Sequence, residues 1–316
     1  MSNIVTNDTF FDFFDENGNL IDGTFDASKD LIFQGTFSGL GVNYTVIDVP
    51  VNIVGDGASF VNMGLKVVNG GAGSNITGIA VTSNTTNSLW LYCTNNVTVQ
   101  DSSFTVTKGG LFCALVNSTD NIIDGCTITG NSSSALVLGY ADNNIVSDCD
   151  IKAGGNLIYI NPYDVAGIGF ATSPDRADYG TGNLFVDNRL YGARSSVCIG
   201  FQIYGTDNAI INNTIVNTGS AVSLPPKTTW APTVDADNNL VAGNVIINCT
   251  GGIVINGMGC VVSFLFRDKE DNINQVIILS VVILLTIALV VFILFPGSSQ
   301  FWANNLEWLN SLIGVN

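Results

Sequence analysis

The sequence contains no histidine, and this absence excludes several kinds of chemistry. Without imidazole the chain has no serine–histidine triad, no histidine metal site and no histidine general base. Charge is also scarce, because only 11% of the residues are charged and the ten Lys and Arg residues leave a net charge of −16. Nucleic acid requires a concentrated basic face, so we predict no nucleic-acid partner.

Long apolar runs are missing except at one place near the C-terminus. Twenty residues that begin at Val276 and end at Phe295 carry no charge and, as a helix, would be about 30 Å long, which matches one hydrocarbon core. We predict a single transmembrane helix over 276–295, with the lipid bilayer as its partner. A linker over 267–275 would precede this helix, and a short interfacial tail over 296–316 would follow it.

A short phrase led by asparagine recurs along the middle of the chain. Clear copies begin at Asn96, Asn121, Asn144, Asn183, Asn208 and Asn239, and a looser one begins at Asn75. Each copy is followed by a second short apolar run, and most intervals are 21–25 residues. Two or three strands in that length, each too short for a helix, indicate one turn of a β-solenoid.

We therefore predict an all-β fold, a right-handed parallel β-helix of about ten coils over residues 30–266. The leading asparagines would stack about 4.8 Å apart, so that their amides bond along the coil axis. Turn residues precede them, where left-handed backbone or an Asx turn is needed: Asp120, Asn143, Asp207 and Asn238. Residues 1–29 would form an N-terminal cap, with an amphipathic helix over 8–17 in which Phe10, Phe11, Phe13 and Phe14 fall at helical spacing.

Three stretches near the N-terminus carry a family resemblance, namely Thr9 to Leu20, Leu31 to Gly39 and Val49 to Asp56. They resemble the opening of adhesin-like β-helix surface proteins of methanogenic archaea. The later copies of the repeat are similar to the carbohydrate-binding and sugar-hydrolase β-helix repeat of pectate-lyase-like proteins. The resemblance covers about residues 5–262 and implies an exported rod, but it supplies no matching catalytic motif.

Two intervals of the repeat are longer than the others, from Asn144 to Asn183 and from Asn208 to Asn239. In both intervals the extra residues follow the same part of the coil. The two loops that they form should therefore leave the rod on the same side. Aromatic side chains beside carboxylates and single cations suit the binding of sugars. The predicted ligand-binding residues, whose alternative is a pair of solvated loops, are Tyr163, Asp164, Asp175, Arg176, Asp178, Tyr179, Lys227, Trp230 and Asp235.

Carboxylates and cysteines offer weaker candidates. Asp148 and Asp150 alternate along one stretch, as Asp187 and Arg189 do one coil later, and such pairs could hold calcium or act as acid and base. Outward polar positions are the alternative, so we predict no catalytic residue, no metal and no cofactor. Cys-x-x-Cys pairs are absent. The equivalent residues Cys126 and Cys149 lie near disulfide range, but stacked inward thiols are the interpretation that we favour.

Orientation in the membrane rests on conflicting signals. Arg267 and Lys269 flank the rod side of the span, which alone would place the rod in the cytoplasm. The exported proteins that the chain resembles favour the outside, so we predict a single-pass cell-membrane protein with an extracellular rod and a leader peptide that this chain lacks. Asn-x-Ser/Thr triplets predict glycosylation at Asn7, Asn43, Asn75, Asn84, Asn96, Asn117, Asn131, Asn212 and Asn248.

These features together predict a non-enzymatic, adhesin-like surface protein. Its partner would be a carbohydrate or another component of a neighbouring cell surface. Two alternatives remain at this point. One is a structural scaffold subunit of a cell-envelope or membrane complex, and the other is a polysaccharide lyase or hydrolase.

Overall fold

The computed structural model describes residues 3–131, 134–160, 180–193, 198–224, 236–255 and 260–266. The chain divides into two compact units, residues 1–265 and 266–316. No helix among the described residues is both long and apolar enough to cross a bilayer. The predicted linker (267–275), transmembrane helix (276–295) and tail (296–316) lie outside the described residues.

The strands wind into a parallel coil with three sides, which we call face 1, face 2 and face 3 in chain order. Face 1 contains Asn75–Thr77, Thr98–Gln100, Ile122–Asp124, Ile145–Ser147, Leu184–Val186 and Ala209–Ile211. Face 2 contains Ala80–Ser83, Ser103–Val106, Thr127–Thr129, Asp150–Lys152, Arg189–Tyr191 and Thr214–Val216. Face 3 contains Tyr44–Ile47, Gly64–Val67, Leu89–Tyr92, Cys113–Val116, Leu136–Gly139, Ile158–Ile160, Ile199–Ile203, Ser220–Leu224 and Gly251–Ile255.

Longer strands join face 1 to face 2. Leu31–Phe37, Asn52–Val61 and Leu240–Ile247 continue from one face onto the other, and Ile4–Val5 and Val261–Phe266 belong to the same sheet. About eight turns are formed by the described residues, fewer than the ten predicted. Ile160 and Leu184 lie in successive turns, as do Leu224 and Leu240, so the long intervals add residues without adding turns.

Alternating side chains explain why these segments form strands around one core. Phe104 of face 2 points inward and stacks in register between Val81 and Ile128, and all three are at most 1% exposed. The residues on either side of Phe104 and Ile128 point outward and are Ser or Thr. Similar apolar columns on the other two faces fill the interior, as a buried parallel sheet requires.

The corner before face 1 uses the predicted turn residues. Asp120, Asn143, Asp207 and Asn238 have φ angles of 54–56°, in the left-handed region that Asp and Asn tolerate best. This part of the prediction is confirmed. The tight left-handed residue lets the chain change direction between faces without adding length to the turn.

Directly after this corner lies a ladder of buried asparagines. We call it the first ladder, and its members are Asn121, Asn144, Asn183, Asn208 and Asn239. Asn144 Oδ1 accepts bonds from both the backbone N–H (3.0 Å) and the Nδ2 (2.9 Å) of Asn121 in the previous turn. The same pattern repeats from Asn144 to Asn183 and from Asn183 to Asn208, which confirms the predicted bonding between amides. At the last step only the backbone N–H of Asn208 donates to Asn239 Oδ1, and the Asn208 Nδ2 donates to the Gly180 carbonyl.

Two predicted members do not belong to the first ladder. Asn96 is exposed and aligns with the corner residue Asp120, and the ladder position is taken by Val97, whose N–H donates to Asn121 Oδ1. Asn75 is also exposed and begins a face 1 strand, where it donates to Asn52. The prediction was wrong for both because exposed asparagines also suit corners and strand starts.

A second ladder lies between face 1 and face 2, and the sequence pattern did not predict it. Its members are Ser102, Cys126, Cys149, Asn188, Asn213 and Asn244. Cys149 N–H donates to Asn188 Oδ1 at 3.0 Å, and Asn188 N–H donates to Asn213 Oδ1 at 2.9 Å. The cysteines are buried free thiols that donate to backbone carbonyls two residues before them, which confirms the stacked-thiol interpretation.

Aromatic packing closes the N-terminal end, but with less helix than predicted. The helix Phe10–Phe13 has only four residues, because Asp15 Oδ1 accepts the N–H groups of Asn17 and Asn19 and turns the chain. Phe10 and Phe14 stack at 4.6 Å between ring centroids, and Phe10 contacts Phe37 of the first turn. These rings cover the core that would otherwise be open to solvent.

Candidate functional site

All nine predicted ligand-binding residues lie outside the described residues. They are Tyr163, Asp164, Asp175, Arg176, Asp178, Tyr179, Lys227, Trp230 and Asp235. The strands that precede them are described, and both belong to face 3: Ile158–Ile160 and Ser220–Leu224. One strand, Ile199–Ile203, lies between those two, so both insertions start from the same edge of the solenoid.

The predicted glycosylation sites lie mostly at the surface. Eight of the nine asparagines are exposed, and Asn7 is half-buried with its Oδ1 accepting the Ser38 N–H at 2.9 Å. Exposure is what attachment of a glycan requires. Glycosylation of these residues stays a prediction.

The outer surface of face 3 has the most unusual composition in the described structure. One residue per turn forms a straight line across the strands, which we call the outer row: Lys66, Trp90, Ala114, Val137, Tyr159, Gln202 and Ser223. Ala114, Val137 and the neighbouring Val116 point away from the core, yet each is at most 2% exposed. With Phe112 they form a second apolar cluster outside the sheet.

An aromatic group lies on one side of this outer cluster. Trp90 and Tyr92 pack against it, and their ring centroids are 5.3 Å apart. The Lys66 ammonium lies 4.2 Å from the centroid of Trp90, 5.0 Å from that of Tyr92 and 5.9 Å from that of Tyr44. Burial lowers the pKa of Lys66, and the three rings compensate in part by attraction to its charge.

The indole N–H of Trp90 is buried and has no acceptor among the described residues. The position of this ring is therefore set by packing and by Lys66, not by a hydrogen bond. Tyr44, beside it, accepts the N–H of Asn87 at 3.3 Å, and burial raises the pKa of its hydroxyl. The group is thus held in place from several sides before any ligand binds.

A second aromatic group lies on the other side of the cluster. Tyr159 packs against the cluster and contacts Tyr204, with ring centroids 6.1 Å apart. Gln202 is next to Tyr159 in the outer row, accepts a 2.7 Å bond from Asn156 Nδ2 and donates to the Tyr204 hydroxyl at 3.3 Å. Half-buried rings beside amide and phenol groups form a surface on which sugar rings can stack and hydrogen-bond.

Sequence reasoning missed these residues because it looked for chemistry in the insertions. A signal was present in the strands Leu89–Tyr92, Cys113–Val116 and Leu136–Gly139, which are apolar on both sides. An antiparallel or solvated strand would alternate with polar residues. Recognising the outer row also required the register between turns, which a single strand does not reveal.

The candidate carboxylates do not form a catalytic pair. Asp150 is in a face 2 strand and its Oδ1 lies 3.2 Å from Arg189 Nε, whereas Asp148 and Asp187 are left-handed corner residues with φ of 50° and 57°. The alternating pattern had indicated that Asp148 and Asp150 share a strand. That prediction is wrong, because Asp148 lies at the corner and only Asp150 lies in the strand. Asp124 Oδ1 accepts a 2.6 Å bond from the Ser147 hydroxyl.

A polar cleft of about 360 Å³ opens at the corner between face 1 and face 2. Its lining includes Gly78, Asp101, Ser103 and Thr127. Asp101 is the one charged residue in the described lining, and no aromatic ring faces it. Because the described lining has no aromatic ring on which a sugar could stack, the cleft is less suited to carbohydrate than face 3 is.

A known protein family matches most of the chain. Residues 18–247 match the model of the NosD family, described as "Periplasmic copper-binding protein (NosD)". The chain belongs to the NosD family. No curated protein matches the chain.

Solved structures similar to this NosD-family chain include the catalytic domain of a GH87 α-1,3-glucanase in complex with nigerose. It shares 13% identity, with a TM-score of 0.37 over 77% of this chain and 52% of that one. The same domain with tetrasaccharides gives 13% identity and a TM-score of 0.34 over the same shares. This chain spans about half the length of those structures.

The donor groups among the described residues of this NosD-family chain do not form a copper site. Imidazole is absent, all seven cysteines fall within the described residues, and no three of the described Cys, Asp and Glu side chains are grouped closely enough to hold a metal ion. Cys126 and Cys149 are adjacent, but each thiol donates to a backbone carbonyl inside the core. Copper sites are built from imidazole, thiolate and thioether groups that can reach one ion together.

Proposed function

We propose that this protein is a non-enzymatic, adhesin-like β-helix of the cell surface that binds carbohydrate through the outer row of face 3. The observation that carries this proposal is the apolar cluster outside the sheet, flanked by two aromatic groups. Partly exposed aromatic rings packed beside an apolar cluster are typical of a recognition surface.

Carbohydrate fits this surface better than protein does. The rings of Trp90 and Tyr159 are half-buried, so each can present part of a flat face, and the groups beside them are an amide, phenols and one ammonium. Sugar rings offer flat patches of C–H together with hydroxyls, and this combination matches stacking plus a few hydrogen bonds. The two insertions that start from the same edge of face 3 are proposed to complete the site.

Attachment to a membrane is the second part of the proposal. Residues 276–295 would hold the solenoid at the bilayer, with the β-helix outside the cytoplasm. The description of the NosD family as periplasmic supports that side. Protease added to cells stripped of their outer envelope should remove the solenoid, and its protection until the cytoplasmic membrane is broken would contradict this placement.

Binding to insoluble polysaccharides tests the carbohydrate proposal. Trp90→Ala and Tyr159→Ala, each truncating one aromatic group, should each lower the association constant at least about fivefold, since one stacking ring contributes about 1 kcal/mol or more. Tyr191→Ala is the matched control, because Tyr191 is a face 2 tyrosine with Lys152 Nζ 5.5 Å from its ring centroid. Unchanged binding in the two face 3 variants, at unchanged melting temperature, would overturn the proposal.

A further inference from the structure

The spacing of the two aromatic groups constrains the shape of the ligand. Trp90, Ala114, Val137 and Tyr159 are in direct register on four successive turns. Three inter-strand steps separate Trp90 from Tyr159, or about 14 Å along the solenoid axis. In the strand direction face 3 is short, because Cys93 and Asn117 turn the chain with φ of 51° and 50° directly after it.

We infer, on the basis of the proposed carbohydrate function, that the ligand is a neutral, linear polysaccharide that lies parallel to the solenoid axis and contacts both aromatic groups at once. A chain that ran along the strands would meet only one group before it reached a corner. A chain that crosses the strands meets both. One sugar ring is comparable in length to one turn, so about four rings span from Trp90 to Tyr159.

The charges select a neutral polymer. Lys66 is the one charged residue among the described members of the outer row, and its ammonium already lies over three rings. The chain as a whole carries a net charge of −16, which repels a polyanion such as a polyuronate. No carboxylate occurs among the described members of the row to attract a polycation.

The segment between the two groups contributes little polar binding. Ala114, Val116 and Val137 are buried and offer no side-chain hydrogen bond to a sugar. Affinity should therefore come from two separated contacts that one chain joins. The second contact then forms at a high effective concentration. The affinity rises only when the polysaccharide is long enough to reach that second contact.

Chain length is the variable that tests this inference. Calorimetric titration of the full-length protein in detergent with neutral β-linked gluco-oligosaccharides of one to eight rings should give weak, nearly constant affinity for the shortest chains. Affinity should then rise at least about tenfold once the chain spans both groups, at about four rings. Tyr159→Ala should remove this rise and leave the affinity for short chains, whereas Tyr191→Ala should leave both unchanged.

Three outcomes would decide against this inference. Binding whose affinity does not change with length beyond two rings would overturn the axial arrangement while leaving the carbohydrate function in place. Tighter binding of polygalacturonate or of a polyamine sugar than of the neutral series would overturn the inference that the ligand is uncharged. An absence of binding to every polymer, at unchanged melting temperature, would overturn the proposed function itself.

Discussion

At the residue scale, polar side chains inside the solenoid fix the register between turns. Each buried asparagine of the second ladder satisfies a backbone N–H of the preceding turn and a carbonyl of its own or a neighbouring turn. Asn213 Oδ1 accepts the Asn188 N–H, and Asn213 Nδ2 donates to the Phe185 carbonyl at 3.0 Å. Buried backbone groups at these corners would otherwise be unpaired, which is costly.

Asn213→Ala should therefore lower the free energy of unfolding by about 2–4 kcal/mol, because it leaves at least two buried polar groups without a partner. Asn75→Ala is the matched control, since Asn75 is exposed, and its effect should stay within about 0.5 kcal/mol. Urea unfolding with an unchanged slope measures both. Equal effects would mean that the ladder does not hold the turns together.

The two ladders also show which structural features the sequence pattern could predict. An asparagine repeated at one position predicts stacking, and the first ladder was found in this way. The second ladder was missed because Ser102, Cys126 and Cys149 replace asparagine in its first three turns. A hydroxyl, a thiol and an amide all pair with the backbone there, but they look unrelated in the sequence.

Thiol reactivity gives a second prediction at this scale. Burial raises the pKa of Cys113, and the hydrogen bond with Cys126 followed by burial raises that of Cys149. Thiolate is the form that reacts with alkylating reagents, so both residues should label slowly at pH 8 in the folded protein and quickly in urea. Half-exposed Cys93 is the internal control. Mass spectrometry of labelled peptides measures the rates, and equal labelling of all three would contradict the buried arrangement.

At the element scale, the N-terminal cap is held by ring packing. Phe10 is fully buried, while its neighbour Phe11 is 49% exposed. Phe10→Ala should cost about 3–5 kcal/mol of unfolding free energy and promote association through the opened end. Phe11→Ala should cost less than about 1 kcal/mol. Thermal unfolding and light scattering distinguish them, and similar values for the two variants would contradict a cap built on Phe10.

The same element should be sensitive to acid. Hydrogen bonding to Asn19 lowers the pKa of Asp15, and a hydrogen bond with Lys29 lowers that of Asp26. A carboxyl whose pKa is lower in the folded state stabilises that state above its unfolded value of about 3.9, and this contribution is lost as the pH falls further. The melting temperature should therefore drop between pH 5 and pH 2. Asp26→Asn should show a smaller drop, and an identical drop would exclude Asp26 as a cause.

Sequence periodicity predicted the cap but not its form. Phenylalanines at helical spacing indicated a helix over 8–17, and of the four residues Phe10, Phe13 and Phe14 are buried whereas Phe11 is 49% exposed. The helix is shorter because the Asp15 carboxylate pairs with N–H groups ahead of it and competes with helix continuation. A side chain that bonds its own backbone can override periodicity within one turn.

At the scale of the whole molecule, the solenoid and the apolar segment at 276–295 perform separate tasks in the proposed function. In that proposal the solenoid would present face 3, and the segment would keep the solenoid at the membrane. Twenty uncharged, mostly apolar residues match the thickness of a hydrocarbon core as a helix, and an arginine at the centre of such a helix costs about 2.5–3.5 kcal/mol on insertion scales. Two central arginines should therefore prevent stable insertion.

Leu284→Arg combined with Leu285→Arg should move the protein from the alkali-resistant membrane fraction into the soluble fraction. Leu284→Ala combined with Leu285→Ala is the matched control, because alanine shortens the same side chains without adding charge, and that variant should stay with the membrane. Both variants should keep the wild-type affinity for a soluble oligosaccharide, since face 3 is unchanged. Retention of the double-arginine variant in the membrane fraction would show that another part of the molecule holds it there.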